Sequence, residues 1–269
     1  MKFAVVGEER REPQPGLPGK CDYCGDAMIA KCGDIRVHHW AHLGTRNCDP
    51  WWENETEWHR AWKNHFPEDW QERSHQSKNG EKHIADVKTK SGVVLEFQHS
   101  HLSREERQSR EMFYQNMVWV VNGLRRVRDR SRFFKLLARA SIIKAKPLTY
   151  SLRSNEGALL RDWVDSRKPV FFDFGDNSDP GDPASFGGPV LWRLEPRSPK
   201  GEAHLSPVLK TLFLDKYRKG SALKGIDYRQ KLGELRAVYA ALLQQAPRPQ
   251  PLTGFQRYLA RQERKRPRF

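Results

Sequence analysis

The stretch that most restricts the fold is KHIADVKTKSGVVLEFQH, Lys82 to His99. Two runs of alternating apolar and polar residues flank Lys90-Ser91-Gly92, a three-residue loop with glycine last, which suits a bulged hairpin. That loop pairs Thr89 with Val93 and therefore sets Asp86 opposite Glu96. Side chains alternate with period two, so Ile84, Asp86, Lys88, Val94, Glu96 and Gln98 share one side. Ala85, Val87, Val93, Leu95 and Phe97 take the other, which is predicted to be the core. Two acids facing each other across strands repel. A divalent cation between them removes that penalty, and Mg²⁺ or Mn²⁺ prefers carboxylate oxygen, backbone carbonyl and water. Asp86, Glu96 and the carbonyl of Phe97 are the predicted ligands, against the plainer reading of two acids on a wet sheet face.

The flanking elements extend this hairpin into a mixed layer. NETEWHRAWKNHFP, Asn54 to Pro67, reads as a helix with Asn54 as N-cap, Glu57 in a capping box and Pro67 as terminator. Trp58, Trp62 and Phe66 form its apolar stripe, and His59 and Lys63 stand four apart. DWQERSHQS reads as a strand, and Asn79-Gly80 as the turn into the hairpin. After Gln98, Ser103 and Glu106 make a capping box, the helix runs to about Asn116, and MVWVV is a buried strand. Strand, helix, strand is a crossover, so the sheet contains a parallel pair. Arg104, Arg107 and Arg110 on that helix face either a polyanion or water. DRSRFFKLLARASII closes the lobe as a further helix.

All four cysteines and three of the ten histidines fall between residues 21 and 48. Cys21-x-x-Cys24-Gly25 is a zinc knuckle, in which a tight turn aims two thiolates at one ion. His42 and Cys48 are the expected second pair, with His39 as competitor and Cys32 as a spare thiol. A site closed by four ligands is structural: Zn²⁺ would hold this small lobe together. A second reading makes HHWAH the metal-and-base core of a ββα-metal nuclease, which leaves the carboxylate hairpin without a task.

Net charge is +15, with 30% charged residues and 37% hydrophobic. Such an excess of Lys and Arg fits a polyanionic partner, because neutralising phosphates releases counterions. No run of about 18 apolar residues spans a membrane, and the start, MKFAVVGEERREPQPG, is too short in apolar residues for a signal peptide. A cytoplasmic setting is expected, where thiols stay reduced. Four segments follow: a zinc-binding stretch 1–50, a catalytic α/β domain 51–145, an accessory α+β region 146–250 and a basic tail 251–269. In the accessory region PVFFDF and PVLWRL read as strands around a Gly/Pro/Asp-rich loop from Asp173 to Pro189. LSPVLKTLFLDKYRKG and DYRQKLGELRAVYAALLQQ read as helices.

A helix, three antiparallel strands, a helix and a strand, with Asp-x9-Glu-x-Gln on the hairpin, resemble the restriction-endonuclease-like PD-(D/E)XK core. CDYCG, HHWAH, ETEWHRAWK, HIADV, LEFQHSHLS and SREMFY to VWVV, over residues 20–125, resemble more narrowly the competence protein CoiA-like family. The resemblance implies a deoxyribonuclease acting on incoming or foreign DNA, using Mg²⁺ or Mn²⁺, with Asp86 and Glu96 as metal ligands. Glu57 and His59 then form the N-terminal helix motif, and Gln98 stands where the wider superfamily has lysine. Gln98 holds no charge, so it would orient the attacking water while Lys88 or His59 supplies charge. The alternative is a zinc-containing DNA-binding or scaffold protein with a nuclease fold and no turnover.

Overall fold

The computed structural model describes residues 1–44, 48–51, 53, 55–77, 80–175, 188–196, 198–199, 201–227 and 229–230. Five short strands open the chain: β1 (Ala4–Val6), β2 (Glu9–Arg11), β3 (Pro18–Lys20), β4 (Ala27–Lys31) and β5 (His39–His42). They form one antiparallel sheet in the order β2-β1-β3-β4-β5. Its core is Trp40, fully buried with Ala4, Cys21 and Met28, and its indole N–H donates to the Arg11 carbonyl at 2.9 Å. Gly19 is required there, since a Cβ would stand 2.9 Å from the Trp40 ring.

The rest of the described chain winds around one nine-stranded sheet. In chain order come α1 (Glu57–Lys63), β6 (Gln71–Gln76), β7 (Lys82–Lys88), β8 (Val94–Gln98), α2 (Arg104–Phe113), β9 (Met117–Asn122), α3 (Asp129–Leu137), β10 (Ser141–Ala145), β11 (Leu148–Arg153), α4 (Ala158–Trp163), β12 (Val170–Asp173), β13 (Val190–Leu194), β14 (Glu202–Leu209) and α5 (Lys210–Lys219). The sheet order is β10-β11-β14-β13-β12-β9-β8-β7-β6. The hairpin register is the expected one: Val87 pairs with Leu95 and Lys88 with Val94. β8 and β9 run parallel, joined by α2, whose N-cap Ser103 accepts from the Glu106 N–H at 3.1 Å.

The sheet is buried on both faces. Trp62, Val87, Leu95, Phe97, Val120, Phe171 and Phe213 pack under α1 and α5. Met117, Trp119, Val121, Phe133, Trp163, Phe172 and Trp192 pack under α3 and α4. β8 and β9 are buried along their whole length, so the side of β8 expected to be wet lies inside. Each such large apolar side chain contributes roughly 1.5–3 kcal/mol of transfer free energy.

Several boundaries differ from expectation. No break falls after residue 145, because β12 pairs in parallel with β9 and carries the sheet on through β13, β14, β11 and β10. Met1–Tyr228 is one compact unit, so the accessory region is structurally the other half of the same sheet. The N-cap of α1 is Thr56, whose hydroxyl accepts from the His59 N–H. LSPVL is strand, with Pro207 opposite Trp192, and only then does α5 begin. SII belongs to β10. The expected helix from Lys231 onward, the basic tail, Asn54, Asn79 and most of the Gly/Pro/Asp-rich loop lie outside the described residues. Among the described residues no helix is long and apolar enough to cross a membrane.

Candidate functional site

The cavity that gathers the hairpin carboxylates lies where β7 and β8 part. Beyond the Val87–Leu95 pair, side chains replace backbone partners. The Phe97 N–H donates to Asp86 Oδ2 at 2.9 Å, and the Asp86 N–H donates to Glu96 Oε1 at 3.3 Å. Asp86 and Glu96 thus hold the mouth of the gap between strands. The cavity measures about 60 Å³ and is lined by Glu53, Glu55, His59, Lys63, Glu72, Asp86, Glu96, Phe97, Gln98 and Arg110 among others. A single water needs about 10–15 Å³ by this measure, so there is room for an ion with a few waters.

Electrostatics mark this pair as short of positive charge. Burial raises the Asp86 carboxyl above the usual range, with Lys63 and His59 only partly offsetting it. Burial and then the Asp86 charge push Glu96 well above it, against a weaker pull from Arg110. Neighbouring cations are spent elsewhere. Lys63 Nζ is 2.6 Å from Glu55 Oε2 and 2.8 Å from Glu72 Oε1. Burial works against the Lys63 charge, yet Glu72 and Glu55 outweigh it and hold its pKa high. Glu72, at φ 47°, also accepts the N–H groups of Lys2 and Phe3. A non-glycine residue with φ in that range is uncommon, and the three contacts on its carboxylate, from Lys2 N–H, Phe3 N–H and Lys63 Nζ, fix it there. Arg110 Nη1 stands 3.6 Å from Glu96 Oε2, while its Nη2 donates to Glu106 and to the Trp51 carbonyl.

The remaining expected site residues divide. His59 Nε2 hydrogen-bonds the Phe97 carbonyl, and its Nδ1 is 3.0 Å from Thr56 Oγ1. Gln98 is buried in the cavity wall, its Nε2 donating to Glu53 and to the Ser100 carbonyl. Glu57 is exposed and does not line the cavity: with Thr56 as N-cap, the first helical residue turns outward. Glu53 and Glu55, just before the helix, stand inside instead. Lys88 does not line the cavity either. Arg107 is buried and pairs with Asp165 at 2.5 Å, so it and Arg110 are packed into the fold and do not face a polyanion.

The second cluster lies beside the five-stranded sheet. One ligand atom each from Cys21, Cys24, His42 and Cys48 all lie within 4.8 Å of one another. Cys21 Sγ and Cys48 Sγ are 3.7 Å apart, and Cys24 Sγ is 3.3 Å from His42 Nε2. Tetrahedral zinc with thiolates at 2.3 Å would separate its sulfurs by about 3.8 Å. Burial raises the Cys48 thiol strongly, and the neighbouring Cys21 adds to it. This Cys₃His set can bind a metal such as zinc. His39 instead bonds the Val37 carbonyl through Nδ1, and Cys32 stands outside the group. HHWAH is largely strand β5, with His42 given to the thiols, which removes the ββα-metal arrangement. Among the described residues this is the one group in which three or more such ligand atoms converge. Asp86 and Glu96 remain a pair, because Glu53 turns to Gln98 and to the Ser100 N–H.

Sequence reasoning did not bring Glu53, Glu55, Lys63, Glu72 or Arg110 into this cavity. The signal for Lys63 was its place one helical turn after His59; Glu72 carried none, because a polar residue in a short edge strand looks solvent-facing. Comparison with protein-family models, with curated proteins and with solved structures gave no match.

Proposed function

We propose that this chain is a metal-dependent nuclease that hydrolyses phosphodiester bonds in DNA, with a PD-(D/E)XK-type core and the plan of the CoiA-like family. The observation that carries the reading is the Asp86–Glu96 pair: two acids turned into one buried cavity, both resisting ionisation, with Lys63 given to Glu55 and Glu72 and Arg110 divided among Glu96, Glu106 and the Trp51 carbonyl. Asp86, Glu96 and the Phe97 carbonyl are the groups that would hold Mg²⁺ or Mn²⁺. When bound, such an ion supplies a water of lowered pKa and neutralises charge at phosphorus.

The chain's own residues do the rest. His59 fixes the Phe97 carbonyl. Gln98 spends its Nε2 on Glu53 and Ser100, which leaves its Oε1 to orient the attacking water. Lys63 keeps Glu55 and Glu72 neutralised, so the cavity excludes any ion that would pair with those acids instead. The Cys₃His cluster, filled with Zn²⁺ in a cytoplasmic setting, fastens the N-terminal sheet.

A second reading is favoured by Gln98, which brings no charge, and by Arg110 standing against Glu96: a zinc-containing DNA-binding or scaffold protein without turnover. Incubation with linear, circular and single-stranded DNA plus Mg²⁺ or Mn²⁺ separates the two. Cleavage that disappears in Asp86→Ala and Glu96→Ala, with folding intact, supports the enzyme. Binding without cleavage of any substrate supports the scaffold.

A further inference from the structure

One face of α3 carries a cationic stripe with no acid to answer it. Arg132 and Lys135 lie within α3, Arg128 is its N-cap and Arg139 follows its C-cap Ala138; the four stand at i, i+4, i+7 and i+11, the spacing that stacks side chains on one side of a helix. All four are exposed. The opposite side of α3 is anchored by Phe133 and Leu137 in the core, so the stripe is held facing outward.

The pattern of pairing sets these four apart from the other arginines nearby. Arg126 Nε is 2.6 Å from Asp129 and its Nη2 is 3.1 Å from Asp162, and Arg125 reaches Asp162 at 3.5 Å. The sole acid on α3 is therefore already used. Among the described residues no ion pair involves Arg128, Arg132, Lys135 or Arg139. An ordinary solvated helix face intersperses acids at i±4, which gain a few tenths of a kcal/mol per pair; this one concentrates like charge at a net cost.

The stripe also follows a loop anchored to the chain just after Gln98, which lines the cavity. The loop that leads into α3 is tied to the chain just after β8: Asn122 Nδ2 is 2.9 Å from His99 Nδ1, and Arg125 donates to the Ser100 carbonyl, which Gln98 also uses. The nine residues of α3 span about 14 Å, with Arg128 and Arg139 just beyond its two ends. One strand of DNA carries a phosphate about every 3.4 Å of axis, so the stripe matches the charge of four to five consecutive phosphates.

We infer that this face of α3 is a binding track for the phosphate backbone of duplex DNA, leading the strand toward the Asp86–Glu96 cavity; the choice of DNA rests on the nuclease reading. The contact is to backbone and carries no base readout.

The test is binding of a labelled short DNA duplex to the full chain, zinc-loaded and without Mg²⁺ or Mn²⁺, across a salt series. Arg132→Ala/Lys135→Ala should flatten the slope of log K against log salt by about 1.8, two contacts at about 0.9 each. Alanine favours the helix, and circular dichroism checks that it persists. A control with the same charge loss on other exposed lysines, Lys31→Ala/Lys90→Ala, should leave the slope unchanged. Equal slopes in all three proteins, or an equal change in the control, overturn the track. Cleavage by the wild-type chain with Mg²⁺ or Mn²⁺ is scored separately: a flattened slope in Arg132→Ala/Lys135→Ala, when the wild type cuts no DNA, keeps the track and removes the hydrolase.

Discussion

Asp86 and Glu96 hold each other's backbone: the amide following Glu96 donates to Asp86, and the Asp86 amide donates to Glu96. The two carboxylates are therefore structural acceptors as well as a repelling pair. Replacing either by its amide keeps the acceptor and removes the repulsion. Asp86→Asn and Glu96→Gln are expected to abolish Mg²⁺-dependent cleavage and to stabilise the metal-free fold by roughly 1 kcal/mol or more. Calorimetry of each variant without divalent ions checks the sign.

The raised carboxyls also fix a pH dependence. Both groups hold their protons more tightly when folded, so their cost to the metal-free fold is absent below the ordinary values of 3.8 and 4.5 and grows as pH rises through the folded values. Mg²⁺ or Mn²⁺ binding requires the deprotonated forms and releases protons. Affinity should therefore fall as pH is lowered toward the raised values, and titration calorimetry in buffers of different ionisation enthalpy should register proton release. Affinity that does not fall as pH is lowered from neutrality toward the ordinary carboxylate range would contradict it.

Lys63 is expected to be the most sensitive single position in the cavity. Lys63→Met takes the paired ammonium from buried Glu72 and leaves Glu55 with Arg60 alone, a loss of about 3–5 kcal/mol. In the wild type, burial opposes ionisation of both acids but Lys63 prevails, so both lie below the usual 4.5. Their contribution is complete above that value and is lost as pH falls through the folded pKa values. Urea unfolding across an acid series should show stability declining toward low pH in the wild type. In Lys63→Met the trend should reverse, because burial then dominates and the acids favour protonation.

The thiolate cluster makes a stoichiometric prediction. Purified protein should carry one zinc per chain by elemental analysis, unchanged in Cys32→Ser and His39→Ala and lost in Cys48→Ser or His42→Ala. Chelation should destabilise the N-terminal sheet by several kcal/mol, since ligand-driven folding energy leaves with the ion.

Local chemistry was legible in the sequence, and long-range pairing was not. The Lys90-Ser91-Gly92 loop fixed the hairpin register, because a turn and its alternation lie within a few residues. The Ser103–Glu106 box and the Cys21-x-x-Cys24 knuckle were readable for the same reason. The β9–β12 pairing joins residues some fifty positions apart, and nothing local to PVFFDF announces its neighbour. Pro207 made the same point in reverse: apolar spacing over LSPVLKTLF suggested one helix, yet the proline sits inside a strand and the helix starts after it. The ring of Glu53, Glu55, Lys63 and Glu72 is assembled from a loop, a helix and an edge strand, so no spacing rule could collect it.

The continuity of the large sheet has a practical corollary for anyone trimming this protein. A chain cut after residue 145 would strip β9 of its hydrogen-bonding neighbour and lay bare Trp119, Val120 and Val121 on an open edge. Such an edge recruits other chains, so the fragment should aggregate where the intact Met1–Tyr228 unit does not. Whatever shaped this molecule had to keep or discard both halves together.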